Sequence, residues 1–173
     1  MVHLVCFFKD NVSVKKIKES LAIIFDVDFY DIKELFNDTE AIVKYEIRKL
    51  SINQDFNYEL NLYVKRDSIL ITKLYNNLIF GYRFSKVLNF EILINDESDD
   101  PYQWILIEKN NLFLVEEKDT EEYGIDIIKS NRQKLNFNKA MKLLQNEEAI
   151  VNPSKANSVF YVSPSSKWNE CID

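Results

Sequence analysis

The sequence predicts an α+β fold, in which a mostly antiparallel sheet carries helices packed on one side. Several segments alternate apolar and polar residues with a period of two, which is typical of strands that bury one face. Fewer segments repeat apolar residues at helical spacing, and they stand between runs of strands rather than after each strand. Hydrophobic residues make up 46% and charged residues 29% of the 173 residues, as in a globular chain.

The N-terminal part predicts a strand, a helix and a short helical turn. The apolar run Val2–Phe8 is typical of a buried strand. Ser13 is a suitable N-cap for the helix that follows, because its hydroxyl can accept a hydrogen bond from the first helical turn. Apolar residues then recur on one helix face, at Val14, Ile17, Leu21 and Ile24. Asp26 and Asp28 interrupt this pattern, and Asp31–Phe36 predicts a helical turn.

The centre of the chain predicts a meander of three strands. Val43–Arg48 and Phe56–Lys65 alternate apolar and polar residues over their whole length, which indicates half-buried strands. The polar link Ser51–Asp55 suits a hairpin between them. Ser68–Leu74 predicts the third strand.

The C-terminal half returns to mixed elements. The predicted order is a helix at Asn76–Leu88, a strand at Phe90–Ile94, a hairpin of Gln103–Glu108 and Leu112–Glu117 around Asn110–Asn111, and a helix from an N-cap at Asn138 to Glu147. A chain of this length predicts a single domain, residues 1–173. Its tail is irregular from about residue 151, apart from a short strand at Val159–Val162.

Charge and termini restrict the function classes. The chain has 28 Asp and Glu against 22 Lys and Arg, a formal net charge of −6, so we expect no nucleic-acid partner, since phosphate contacts need clustered basic residues. An acidic chain is also steered toward basic proteins. The N-terminal apolar run is too short for a signal peptide, and no apolar run is long enough to span a membrane. We therefore expect a cytoplasmic protein with reduced thiols and no membrane partner.

The composition also argues against most enzymatic chemistry. With only 2 glycines, neither a dinucleotide-binding fingerprint nor a phosphate-binding P-loop is present. The single histidine, His3, and Cys6 fall on opposite faces of the first strand because they are three residues apart. One histidine with Cys6 and the distant Cys171 cannot supply a standard zinc site, and whether the two cysteines form a disulfide stays open. We therefore expect no catalytic residues, no metal and no cofactor.

The segment Asn95–Val115 is the most informative of the chain. It opens with a loop whose mutually repelling carboxylates must be solvated or face a cation, at Asp96, Glu97, Asp99 and Asp100. The loop is not a calcium-binding EF-hand, because Pro101 stands where glycine is needed and Ile107 where a bidentate glutamate is needed. The β-favouring sequence after Pro101 predicts that the loop lies at the entrance of a hairpin.

These observations favour a partner-binding surface. The contacts expected from this surface are Asp96, Glu97, Asp99, Asp100, Glu116, Glu117, Glu121 and Glu122, with Tyr102 or Trp104 as an aromatic anchor. Each of these features has a plainer alternative. The carboxylates are also typical of solvated loops, and Trp104 is also typical of a core residue.

Residues Gly81–Val115 resemble part of a group of small bacterial immunity proteins, which neutralise toxins of contact-dependent inhibition and related polymorphic toxin systems. The resemblance consists of a helix with Phe84, Val87 and Leu88, the strand FEILI at Phe90–Ile94, and the acidic loop, the PYQW turn and the hairpin WILIEKNNLFLV that follow. It implies a single-domain, acidic, cytosolic and non-enzymatic protein that covers the active site of a cognate toxin domain or an adjoining surface. It transfers no individual binding residue.

The sequence therefore predicts a non-catalytic immunity protein whose partner is a cognate toxin domain. A nuclease is the expected toxin, since nuclease domains carry the positive surface that an acidic partner complements. Two other classes stay open. One is a phage or mobile-element protein with an adaptor or structural role, and the other is a small carboxylate-dependent hydrolase.

Overall fold

Eight strands lie among helices and 3₁₀ turns in the part of the chain that the structure describes. The structure is a computed structural model and describes residues 1–9, 11–37, 39–50, 54–67, 76–96, 100–119, 124–142, 168 and 171–172. The strands are β1 (Val2–Phe8), β2 (Ile32–Glu34), β3 (Val43–Lys49), β4 (Tyr58–Val64), β5 (Ile92–Asn95), β6 (Gln103–Glu108), β7 (Asn111–Glu116) and β8 (Gln133–Leu135). The helices are α1 (Val14–Phe25), α2 (Asn77–Leu88) and the described part of α3 (residues 137–142), with 3₁₀ turns at Phe29–Asp31 and Lys129–Asn131.

The strands form one sheet in the order β2-β3-β4-β1-β5-β6-β7-β8. Neighbouring strands are antiparallel except β2 and β3, which are parallel. β1 lies in the centre of the sheet, between β4 and β5. The predicted α+β class with a mostly antiparallel sheet is therefore confirmed.

The helices cover one face of this sheet. Stacked aromatic rings join α1 to α2, since the Phe80 ring centroid lies 6.1 Å from that of Phe25 and 5.3 Å from that of Phe84. Alternate strand residues complete the same core and include Leu4, Cys6, Phe8, Ile92, Ile94, Ile105 and Ile107. The period-two pattern of the sequence thus directs every second side chain along a strand toward the helices.

The opposite face carries a smaller apolar cluster. It consists of Phe56, Leu93, Leu106, Val115, Ile125 and Ile127. Residues 124–131 reach this face through Ile125, which exchanges two backbone hydrogen bonds with Phe56, at 2.9 and 3.2 Å. The same face is polar on β3 and β4, where Arg48 forms ion pairs with Glu46 at 2.8 Å and Glu59 at 3.7 Å.

The caps of the two long helices agree with the sequence. The Ser13 hydroxyl accepts a hydrogen bond from the Lys16 N–H at 3.3 Å, and the Asn76 side chain accepts one from the Ile79 N–H at 3.0 Å. Asp26 (φ 51°) and Asn89 (φ 60°) end α1 and α2 in the left-handed conformation. An asparagine or aspartate adopts this conformation more readily than other side chains, so these residues replace the usual C-terminal glycine.

The prediction of a helical turn at Asp31–Phe36 is wrong. Ile32–Glu34 is instead the edge strand β2, which pairs in parallel with residues 43–45 of β3. Ile32 is fully buried in the core beneath the helices. Three residues are too few for a periodic pattern, so tertiary pairing rather than local sequence decides their structure.

Two boundaries are shifted relative to the sequence-based assignment. The N-cap of α3 is Asn136 rather than Asn138, because the Asn136 side chain accepts a hydrogen bond from the Lys139 N–H at 3.1 Å. The β6–β7 turn consists of Lys109 and Asn110, whose φ angles are 47° and 67°. Two consecutive positive φ angles are the mark of a type I′ turn.

The C-terminal residues that the structure describes pack against the core. Trp168 and Cys171 are buried, and Ile172 forms an isolated bridge with Leu135 of β8. Other predictions lie outside the described residues, namely the strands Ser68–Leu74 and Val159–Val162 and the end of α3 at Glu147. Within the described part, no helix is long and apolar enough to cross a membrane.

Both glycines of the chain occupy positions where a side chain would not fit. A Cβ atom on Gly81 would lie 2.9 Å from Ile94 Cγ2, so α2 approaches the sheet closely at this point. Gly124 has φ +136° and a Cβ atom there would lie 2.6 Å from Gln54 Cγ. Gly124 therefore permits the turn that brings Ile125 to Phe56.

We expect Gly124→Ala to lower the free energy of unfolding by about 2–3 kcal/mol, since it combines a strained backbone with overpacking. Urea denaturation of the two proteins measures this difference. Ser130→Ala, at an exposed position of the same segment, is the control and should change stability by less than about 0.5 kcal/mol. Equal stability of Gly124→Ala and the wild type would mean that the turn tolerates a side chain.

Candidate interaction surface at the open end of the hairpin

The open end of the β6–β7 hairpin combines one exposed aromatic residue with carboxylates. The residues described there are Asp100, Tyr102, Glu116 and Glu117, and we call these four residues the acidic end. Tyr102 has 59% of its surface exposed. The antiparallel register places Gln103 opposite Glu116, so the two sequence segments that carry these side chains lie side by side. Two stretches predicted separately thus form one surface.

Asp100 fixes the backbone that presents Tyr102. Its carboxylate accepts a hydrogen bond from the Tyr102 N–H at 2.9 Å, and its carbonyl oxygen accepts one from the Gln103 N–H at 3.3 Å. A side chain that bonds to the backbone two residues onward forms an Asx turn. The Tyr102 carbonyl in turn accepts a hydrogen bond from the Glu117 N–H at 2.7 Å. The exposed ring therefore projects from a backbone fixed on both sides.

Trp104 connects this surface to the sheet through contacts with Phe7 and Glu117. Its ring meets the Phe7 ring edge-on, with centroids 5.4 Å apart and an angle of 84°. Its indole N–H donates a hydrogen bond to the Glu117 carboxylate at 2.9 Å. Of the two aromatic residues expected as anchors, Tyr102 is thus the exposed one, whereas Trp104 is half-buried against the smaller apolar cluster.

Residues 124–131 complete the edge of the surface at Glu116. The Glu116 carbonyl accepts a hydrogen bond from the Ile128 N–H at 2.8 Å, and the Glu116 carboxylate accepts one from the Asn131 amide at 3.3 Å. Sequence reasoning missed Asn131 because nothing in its neighbourhood indicates a contact with β7.

The position of Asp96 contradicts the expectation that the loop carboxylates are solvated. Asp96 is fully buried, and the Trp168 indole N–H donates a hydrogen bond to its carbonyl oxygen at 2.7 Å. Asp96 lies two residues after Ile94 and therefore on the same, helix-covered side of the chain. We remove it from the expected contact residues. Four further residues of that set lie outside the described part of the chain, namely Glu97, Asp99, Glu121 and Glu122.

Glu116 and Glu117 differ from three carboxylates elsewhere on the sheet that are paired with arginines. Glu46 and Glu59 are paired with Arg48, and Glu108 is paired with Arg132 at 3.1 Å. Among the ion pairs formed by described residues, none includes Glu116 or Glu117. Neutral donors, the Asn131 amide and the Trp104 indole N–H, hold these two carboxylates.

We expect Trp104→Phe to lower the free energy of unfolding by about 1 kcal/mol, the usual contribution of one hydrogen bond. The substitution keeps the contact with Phe7 and removes the donor to Glu117. Chemical denaturation measures the change, with Tyr102→Phe, which alters an exposed residue, as the control. Unchanged stability in Trp104→Phe would show that the indole hydrogen bond does not help to hold Glu117.

His3 and Cys6, the other residues whose side chains are suited to catalysis or metal binding, make contacts that are typical of structural residues. His3 stacks on Tyr63 with centroids 4.7 Å apart, and its Nε2 atom lies 3.0 Å from the Asn61 side-chain oxygen. Cys6 is fully buried on the other face of β1, as predicted, and burial raises the pKa of its thiol far above the usual range. No disulfide joins Cys6 to Cys171.

The part of the chain that the structure describes contains no group of three or more His, Cys, Asp or Glu side chains that could hold a metal ion. Comparison with known proteins adds no further guide: no protein-family model, no curated protein and no solved structure matches this chain.

Proposed function

We propose that this chain is a non-catalytic immunity protein that binds a basic toxin domain through its acidic end. One observation carries the proposal: an exposed tyrosine stands on a fixed backbone beside Glu116 and Glu117, two carboxylates that form no ion pair with another described residue. An aromatic anchor surrounded by charge is typical of the residues that contribute most to protein–protein binding.

The fixed backbone favours binding because little conformational freedom remains to be lost. The Asx turn at Asp100 and the hydrogen bond from Glu117 to the Tyr102 carbonyl order this surface in the free protein. An interface that is ordered before binding loses less entropy when the partner arrives. The backbone of Tyr102 is accordingly expected to move little on complex formation.

The charge favours a basic partner and, among toxins, a nuclease. The formal net charge of the chain is −6, and Glu116 and Glu117 extend from a sheet end rather than from separate parts of the surface. Complementary fields of this kind raise the association rate and discriminate against acidic partners. A nuclease active site, which must attract phosphates, provides the matching positive surface.

The proposal can be tested on the polypeptide encoded immediately upstream of this chain. We expect a large secreted protein with a variable C-terminal domain that is toxic when produced inside cells. Co-expression of this chain should restore growth, and the two purified proteins should elute together in size-exclusion chromatography. A toxic domain that the chain neither binds nor neutralises would contradict the proposal, and the absence of any toxin gene would favour an adaptor role.

A further inference from the structure

A cleft lies at the opposite end of the β6–β7 hairpin from the acidic end. It has a volume of about 460 Å³ and is lined by the end of α2, the start of β5 and the β6–β7 turn. This volume falls in the range of small-ligand sites, roughly 300–1,000 Å³. Since β6 has 6 residues, the cleft is separated from the acidic end by about 20 Å.

Three lysines line this cleft of an otherwise acidic protein, namely Lys9, Lys86 and Lys109. Two carboxylates also line it, Glu91 and Glu108. Glu108 is bound by Arg132 at 3.1 Å. Glu91 forms no ion pair among the described residues, so it is the one lining carboxylate that offsets the lysines.

The three lysines of the cleft have few carboxylate partners among the described residues. Lys9 lies 3.8 Å from Asp55, which is bound more closely by Lys129 at 3.0 Å. Within the described ranges, neither Lys86 nor Lys109 takes part in an ion pair. The cleft therefore has an excess of positive charge, which concentrates anions.

Lys109 occupies a backbone position that does not favour lysine. Its φ angle is 47°, at the first position of the type I′ turn, where asparagine, aspartate or glycine is usual. A side chain with a full Cβ substituent in the left-handed region is strained, and such strain is concentrated at functional positions. Lys86 differs from it, because a lysine in the last turn of α2 also interacts favourably with the helix end.

An aromatic residue forms the apolar part of the lining. Phe90 is half-buried, and its ring centroid lies 5.8 Å from that of Phe8 and 6.3 Å from that of Phe84. The Ser85 hydroxyl donates a hydrogen bond to the Phe90 carbonyl at 2.7 Å, which fixes the turn between α2 and β5. The ring is thus held in place beside the lysines.

We propose that this cleft binds a small organic anion, with phosphate or carboxylate groups at Lys86 and Lys109 and a planar apolar part against Phe90. The site is separate from the acidic end and does not depend on the partner proposed for that surface. Pyrophosphate, citrate and ADP are three ligands that show which anionic group the cleft binds. Phosphate and carboxylate can be compared in the first two, and ADP adds a planar group.

The experiment is a titration of the full chain with each anion, followed by backbone amide NMR. We expect saturable shifts at Lys86, Asn89, Lys109 and Asn110, tighter binding of ADP than of pyrophosphate, and weaker binding as NaCl is added. Lys109→Asn should weaken binding at least about tenfold, the equivalent of one lost charge-assisted contact. The same variant should raise Tm by about 2–4 °C because it relieves the strained turn.

Lys118→Asn, which removes an exposed lysine near the acidic end, is the matched control and should leave anion binding unchanged. Lys86→Gln provides a second variant that does not alter the turn and should also weaken binding. Non-saturable shifts spread over many surface lysines would overturn the proposal, and so would full affinity in both Lys86→Gln and Lys109→Asn. Equal affinity for ADP and pyrophosphate would overturn the role given to Phe90.

Discussion

Reversing two charges of the acidic end, Asp100→Lys with Glu116→Lys, is expected to weaken binding of the toxin domain about 100-fold or more. The two lysines would face the positive surface that the carboxylates complement, and juxtaposed like charges cost several kcal/mol. The reversed field should slow association, and the loss of the Asx turn at Asp100, which fixes the backbone of Tyr102, should speed dissociation. Surface plasmon resonance at several NaCl concentrations measures both rates.

The control for this variant is Glu19→Lys with Glu40→Lys, which changes the net charge equally at exposed positions elsewhere on the molecule. Its effect should be several-fold at low salt and should vanish when NaCl shortens the Debye length to about 8 Å or less. If both double variants lose affinity equally, net charge rather than the acidic end determines binding. If neither loses affinity, the partner binds another surface.

Replacing Trp168 by alanine is expected to lower the free energy of unfolding by about 3–5 kcal/mol, as for other buried aromatic residues. Only 2% of Trp168 is exposed, and its indole N–H donates to the carbonyl of fully buried Asp96. The substitution leaves a cavity and removes a donor from a buried carbonyl, so both effects have the same sign.

Urea denaturation followed by circular dichroism measures this loss, and Trp168→Phe separates its two causes. Phenylalanine restores most of the buried area but not the donor, so its effect should be clearly smaller than that of alanine. A change below about 1 kcal/mol in Trp168→Ala would mean that the C-terminal residues are not part of the core.

Local sequence patterns were sufficient for elements that are long enough to show a period. Val2–Phe8 and the helix capped by Ser13 are confirmed, the first from an apolar run of seven residues and the second from helical spacing of apolar residues over more than two turns. The edge strand at Ile32–Glu34 is too short for this and depends on its pairing with β3. The choice of Asn136 over Asn138 as the cap of α3 was equally undecidable, since both asparagines are suitable N-caps.

The positions of the expected contact residues in the fold could be predicted only in part. The sequence places Asp100, Tyr102 and Glu116 near one hairpin, because two consecutive strand patterns are separated by a short turn. The turn predicted at Asn110–Asn111 does not give the observed register, in which Gln103 lies opposite Glu116. The sequence could not show that Asp96 is buried, since the residue that covers its carbonyl, Trp168, lies 72 positions away. A lone tryptophan in a serine-containing tail was the available signal.

The cleft was missed for a similar reason. Lys9, Lys86 and Lys109 are widely separated in the sequence and come together only because β1, α2 and the β6–β7 turn end at the same side of the sheet. The positive φ angle of Lys109 also could not be predicted, because the sequence favoured Asn110–Asn111 as the turn. Spacing alone does not reveal charge that is assembled from three elements.

The most direct test of the immunity proposal is a titration of the purified toxin domain's activity with this chain. We predict that activity falls linearly to zero at equimolar chain, does not depend on the time of preincubation, and returns when high salt separates the two proteins. These three results together identify inhibition by binding. Time-dependent loss of activity at substoichiometric amounts of chain would instead indicate an enzyme, and undiminished activity at excess chain would contradict the proposal.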